Sequence, residues 1–475
     1  MRDLAFALML LAVLPLALAR PFNAYLLWGW TGMLAPTAYF YGFMVGARVN
    51  FVCAILTLLL LLLGRVPWRN YQCNTVTWLY LLLAIHATLA FWFGYAGNPD
   101  NAQYYEILLK GLLFAMAMPF FVRERVHFHA MFIVIALGLG LHGVLNGAKT
   151  LLSFGGHRML GPEGTMMSDR NHLSTVLALI LPILLYLYTY AAHRVIRFGY
   201  LGAFCVVVLA ILGGGSRAGF IAVSVVGLWL IFTTRRKGLA FLLVTTAVLS
   251  FLAFAPADIT ERMSTIKEAE EDRSFIGRVY AWRVSSAIAL ANPIFGGGFH
   301  AVQVQDIWDR FKSSPGLLGF MNLPVPEFAA KAAHSIYFEV MGDLGFVGLG
   351  IFLFILLRSL RSRQVIKRAT AQLGLPYQWA SDMADMLMLA VLAYMVGGAS
   401  VSVGYLEVIY VVVMLMELLR QHVTRALDGP MRKKSPSNAG RGRPDIQADA
   451  AILPGDKLSL DQHSTIDRLR SSRLI

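Results

Sequence analysis

The chain has 475 residues, 57% hydrophobic and only 14% charged, where a soluble domain carries about 25% charged residues. That composition excludes an ordinary soluble enzyme and puts the chain in lipid. The formal net charge of +14 does not imply nucleic acid, because most Lys and Arg fall in short connections or in the C-terminal tail. Positive-inside orientation and attraction to anionic membrane lipids produce that distribution.

The first nineteen residues have a signal-like outline, with Arg2 followed by a long apolar stretch, but further apolar runs follow at once, so they read as a retained helix. Apolar runs of about 16 to 25 residues recur from Leu4 to Leu419, each long enough for a hydrocarbon core about 30 Å thick. Beyond the first forty-five residues, spans are expected near 49–64, 74–95, 105–122, 128–151, 172–192, 198–213, 218–234, 238–256, 333–357, 384–401 and 404–419. Basic connections at Arg65/Arg69, Arg123/Arg125, Arg194/Arg197, Arg235 to Lys237, Arg358 through Arg368 and after Arg420 alternate regularly and mark the cytoplasmic side. Pro21 and Pro36 offer breaks, so the start of the chain reads as one broken or re-entrant crossing. The expected fold is therefore all-α and polytopic, with about twelve transmembrane helices and both termini inside. The alternative is two crossings at the start, thirteen spans and an outside N-terminus.

Residues 1–420 form the membrane domain in this reading, with a large, partly helical periplasmic loop at 256–332. Residues 421–475 are polar and charged, cannot bury enough apolar surface to order themselves, and read as a disordered cytoplasmic tail. Cys53, Cys73 and Cys205 are far apart and suggest packing rather than metal or redox chemistry.

The remaining connections face outward: 96–103, 153–171, the turn Gly213-Gly214-Gly215-Ser216-Arg217, and 256–332. The loop of more than seventy residues is unusual in an otherwise terse protein, and such loops are usually functional. Its segment 258–291 has helical spacing, with Phe275, Val279 and Trp282 available to the membrane surface, and Asn292 through Phe299 reads as a flexible loop. Arg217 stands where a glycine turn feeds a helix N-terminus, a combination suited to an anion, although an interfacial Arg beside a tight turn is an equal reading. Arg278 could clamp a diphosphate from the other side, and Arg158, Arg170 and Asn171 could enlarge the basic pocket. His334 begins the span after the loop and suits a general base, with Ser335 and Glu339 near enough to orient it. No histidine pair has a compact metal-ligand spacing, so no metal and no cofactor is expected.

Ser216-Arg217-Ala218-Gly219, then Gly277-Arg278 through Trp282 with Asn292-Pro293 and glycines, then His334-Ser335 with Gly345, resemble the O-antigen ligase and polymerase superfamily. Its ligases carry a His-[Ser/Asn]-x9-Gly element after the large periplasmic loop. The resemblance covers roughly residues 50 to 420. Arg20-Pro21-Phe22 and Ser168 through His172 also look like the branch described as O-glycosylation ligases. The resemblance implies a bacterial inner-membrane enzyme that transfers a glycan from undecaprenyl diphosphate to an acceptor hydroxyl on the periplasmic side, without nucleotide sugar or obligatory metal. It also implies that Arg217 and Arg278 bind the diphosphate and that His334 deprotonates the acceptor for inverting attack. A lipid A-core acceptor makes the chain an O-antigen ligase. A protein acceptor makes it an oligosaccharyltransferase, a growing glycan makes it a polymerase, and a lipid-linked glycan transporter is the reading from another class.

Overall fold

The computed structural model describes residues 2–95, 99–233, 270–321 and 324–432. The span expected at 238–256, the first part of the long loop and the chain beyond Arg432 lie outside these residues. The helices are α1 (Arg2–Ala19), α2 (Pro21–Leu34), α3 (Val49–Leu62), α4 (Thr75–Phe93), α5 (Pro99–Phe121), α6 (Arg125–Leu152), α7 (Arg170–Tyr190), α8 (Arg194–Gly213) and α9 (Arg217–Thr233). After the gap come α10 (Glu270–Ala291), α11 (Gln305–Phe311), α12 (Ile336–Leu373), α13 (Gln378–Gly397) and α14 (Glu407–Arg432). No strand occurs among the described residues. Eight helical segments among them are long and apolar enough to cross a membrane, as expected of a chain whose backbone groups must be satisfied within each span.

Side chains set where several helices begin. Asn74 accepts from the Thr77 amide at 2.8 Å, Asp169 from that of Asn171 at 2.7 Å, and Ser216 from that of Gly219 at 3.1 Å, which satisfies amides that a helix N-terminus leaves orphaned. The centre of the bundle is α7, α12, α13 and α14, with α9 packed on α7 and α13 at one flank. At the other flank α5 packs on α14, α4 and α2, and α3 packs on α2. Leu173 to Leu184 of α7 and Val408 to Leu419 of α14 are buried, whereas α1, α3 and α4 expose many large apolar side chains, the surface that lipid covers.

Three expectations change. The start of the chain is not one broken crossing: α1 and α2 are separate antiparallel helices, and the Asp3 carboxylate accepts from the amides of Gly42 at 2.9 Å and Met44 at 3.0 Å. Asp3 therefore lies with the α2–α3 connection, on the side where α7, α9 and α12 begin, while Phe22 meets His127 on the opposite side. The expected connection at Arg358 through Arg368 is instead a continuation of α12. Its charges find partners on neighbouring helices, Arg358 with Glu417 at 3.3 Å and Arg363 with Asp385 at 2.5 Å, so the backbone has no reason to leave the helix. The last helix likewise continues past residue 421 to Arg432.

This topology has a direct test. With Cys53, Cys73 and Cys205 replaced, single cysteines at the exposed positions Tyr41 and Glu163 should react with an impermeant thiol reagent from one side. Cysteines at Arg194 and Gln364 should react only from the other. Labelling of positions 41 and 163 from opposite sides would refute this alternation of helices, and a cysteine at exposed Arg2 that is labelled from the side of Arg194 would refute the two-helix start.

Candidate functional site

The turn at 213–217 is built to hold α9 hard against its neighbours. A Cβ on Gly219 would come within 2.5 Å of the Ser174 Cβ and 2.7 Å of Ile211, so only glycine allows α9 to meet α7 this closely. Ser216 caps the helix, and Arg217, its first residue, is left exposed at the rim.

Helix α10 brings the second arginine. Arg278 and Trp282 are one turn apart and share a face. The Trp282 indole N–H donates to the Ala333 carbonyl at 2.7 Å, and its ring stacks on Phe338 with centroids 5.0 Å apart. Trp282 thereby ties the Arg278 face of α10 to the residue before His334. Val279, expected at the membrane surface, is instead buried beside a small second core formed by Tyr280, Val284, Ile288, Ile307 and Trp308. That core makes α10, α11 and their connections a folded cap.

The segment 292–299 is not a flexible loop. It is latched into a break in α12. Gly345 has φ 69°, and a Cβ there would lie 2.6 Å from the Pro293 carbonyl oxygen. The break frees the carbonyls of Gly342 and Asp343, which accept from the amides of Gly297 at 2.8 Å and Gly298 at 3.0 Å, while the Phe346 amide donates to Pro293 at 2.9 Å. The glycine ten residues after Ser335 therefore has a structural reason: it docks the loop against the helix. Gly345→Ala should lower stability by about 1–3 kcal/mol from backbone strain alone, read as a fall in melting temperature in detergent, and an unchanged melting temperature would show that the break is dispensable.

Arg217, Arg278 and His334 converge on one side of the bundle. The Arg278 guanidinium has its pKa lowered by burial and then by the charge of Arg217. The His334 pKa is lowered to about 4, first by burial, then by Arg278, His172 and Lys331, with Asp169 acting in the opposite sense. His334 sits in the left-handed region at φ 45°, makes no hydrogen bond among the described residues, and is followed by buried Ser335 at the N-cap of α12. The imidazole is neutral near pH 7 and has a free lone pair.

His172, which was not among the expected site residues, belongs to this cluster. Its Nδ1 is 2.8 Å from the Met166 carbonyl, which can only accept, so Nδ1 carries the proton and Nε2 is left as an acceptor. Asp169 and His172 come from the same short stretch as Arg170 and Asn171, which are not among the groups that shift His334. Arg158 is exposed, and no contact among the described residues ties it to the cluster. Glu339 does not orient His334. Its Oε2 accepts from the Gly404 amide at 2.8 Å and its Oε1 lies 4.0 Å from Nε2 of His300, whose ring stacks on Tyr104 at 3.5 Å. Among the described residues, no group of three or more His, Cys, Asp and Glu could hold a metal ion.

Two cationic side chains brought together repel, an arrangement that becomes favourable when an anion lies between them. A neutral base beside that anion can take a proton from a nucleophile attacking next to it.

Residues 201–353 match the model of the O-antigen ligase family, and residues 1–192 match that of a family of unknown function. No curated protein matches the chain. The first of these matches runs through Arg217, Arg278, His334 and the break at Gly345, and it supports an O-antigen ligase-like superfamily for this chain.

Proposed function

We propose that the protein is an O-antigen ligase that transfers a glycan from undecaprenyl diphosphate to a sugar hydroxyl of lipid A-core at the periplasmic face of a bacterial inner membrane. The observation that carries this reading is the convergence of Arg217 and Arg278, from elements far apart in sequence, beside a neutral His334. The acceptor hydroxyl gives its proton to His334 as its oxygen attacks the anomeric carbon. The bond from that carbon to the diphosphate breaks, and the carrier leaves with the electron pair and inverted geometry at the sugar. Arg217 and Arg278 stabilise the charge that grows on the departing diphosphate. His334 is left as imidazolium, stabilised by that same anion, and returns its proton to solvent.

The chain's own groups supply both the electrostatic and the proton-transfer roles, so chelators should leave the rate unchanged. A loss of activity on chelation that added Mg²⁺ restores would contradict the mechanism. The reading as a whole is tested by giving purified protein an undecaprenyl-diphosphate glycan together with lipid A-core or with a peptide rich in Ser and Thr. Glycan on lipid A-core is the expected product. Glycan on the peptide would make the protein an oligosaccharyltransferase using the same groups, and an extended carrier-linked glycan would make it a polymerase.

A further inference from the structure

On the flank away from Arg217 lies a cavity of about 1050 Å³ between α2, α3 and α5, at the upper end of the range for small-molecule sites. Its lower wall is apolar, with Phe51, Ala54, Ile55, Leu58 and Leu113. Its polar end holds Asn50, Arg48, Glu106, Lys110 and Glu407, with Trp28 beside them. Glu407, between buried Leu406 and Val408, lines the cavity, and it makes no hydrogen bond among the described residues. Lys110 pairs with Glu106 at 2.7 Å. Asn50 accepts from Thr31 at 3.4 Å and keeps its amide N–H groups for another partner.

Taking the function proposed above as given, we infer that this groove binds the acceptor glycolipid, with its sugar hydroxyls on Asn50 and Glu407 and its hydrocarbon along α3. Two arguments favour the acceptor over the donor. The first is charge: in the groove Glu106 is paired with Lys110, whereas on the other side Arg217 and Arg278 bear on each other as two cations. A diphosphate is drawn to the latter, while neutral hydroxyls are well served by a carboxyl group and an amide.

The second argument is position. Inverting displacement needs the nucleophile on the face of the sugar opposite the leaving group. The groove and Arg217 lie on opposite flanks, and the histidines stand between them. Tyr104 of α5, the helix that carries Glu106 and Lys110, stacks on His300, and His172 lies near enough to bear on both His300 and His334. Met166, whose carbonyl holds His172, also lines the groove. On the other wall, Leu406 and Glu407 directly follow Gly404 and Tyr405, which hold Glu339 and Asp343 of the helix that begins at Ile336. An acceptor in the groove therefore reaches the base from the side that the donor leaves open.

The test measures binding in a His334→Asn parent, so that nothing turns over, with lipid A-core and undecaprenyl diphosphate as separate probes. Glu407→Gln and Asn50→Ala should each weaken lipid A-core binding about tenfold, the loss expected for a hydrogen bond to a charged or well-placed polar group. Ala54→Trp, which fills the apolar wall, should weaken it at least as much. Undecaprenyl diphosphate should bind all of these variants as it binds the parent. Loss of undecaprenyl diphosphate binding instead, unchanged lipid A-core binding in all three variants, or no saturable lipid A-core binding to the parent would overturn the assignment. Groove-dependent binding in a protein whose intact His334 form transfers no glycan would uphold the groove while ending the ligase reading.

Discussion

His334→Asn should slow glycan transfer by about 10² to 10⁴, the usual worth of general-base assistance, while undecaprenyl diphosphate binding stays within twofold or so of the parent. Asparagine is the informative replacement because position 334 has φ 45°, and Asn tolerates the left-handed region where Ala is strained. His334→Ala should lose the same activity and some stability as well. The pH dependence gives a second reading. An unperturbed imidazole would give a rate that rises through about pH 6.5, but in the donor-free protein burial and Arg278 lower the pKa to about 4. Only the neutral ring accepts a proton, so kcat/KM should stay flat from pH 8 down to about pH 5 and fall below that. A bound diphosphate offsets Arg278 and favours the imidazolium, so the acid limb of kcat should lie at higher pH than that of kcat/KM, because the first reports the complex and the second the free enzyme. Identical limbs, or an Asn variant with wild-type turnover, would remove His334 from the reaction.

The sequence carries its fold class plainly, because apolar runs alternating with basic connections have few other physical meanings. It carries the three site residues less directly. Arg217 is legible from the Ser-Arg-Ala-Gly turn, since a cap, a cation and a close-packing glycine each leave a mark in the local sequence. Arg278 and His334 become a site only once the chain folds, when α10 packs on α12 and Trp282 bonds to Ala333, 51 residues away in sequence. No local pattern announces such a contact. The loop 292–299 looks flexible because glycines and Pro293 are loop residues, and its rigidity comes from carbonyls released by a helix break at Gly345. The first forty-five residues were misread for a related reason. Pro21 opens α2 and Pro36 lies just beyond its end, so prolines that suggest a broken crossing are here compatible with two whole helices, and what fixes their direction is a carboxylate at Asp3 reaching amides beyond residue 40.

Arg217→Ala and Arg278→Ala should each lower kcat by about 10² to 10³, the typical loss when one group that stabilises developing charge is removed. The double variant should be worse than either single variant by much less than the product of the two losses, because groups that hold one anion together act as a unit. Lysine should rescue poorly at either position, since an ammonium cannot offer the planar pair of N–H donors that a guanidinium presents to a phosphate. Arg278 has its charged form disfavoured by burial and by Arg217, so in the absence of donor Arg278→Gln should raise the melting temperature even as it lowers activity, the trade expected of a site held in readiness for an anion. Added undecaprenyl diphosphate should raise the melting temperature of the wild type in proportion to the logarithm of its concentration above Kd, and that shift should shrink in either variant. Arginine variants that keep both full turnover and the donor-induced shift would show that the diphosphate binds elsewhere.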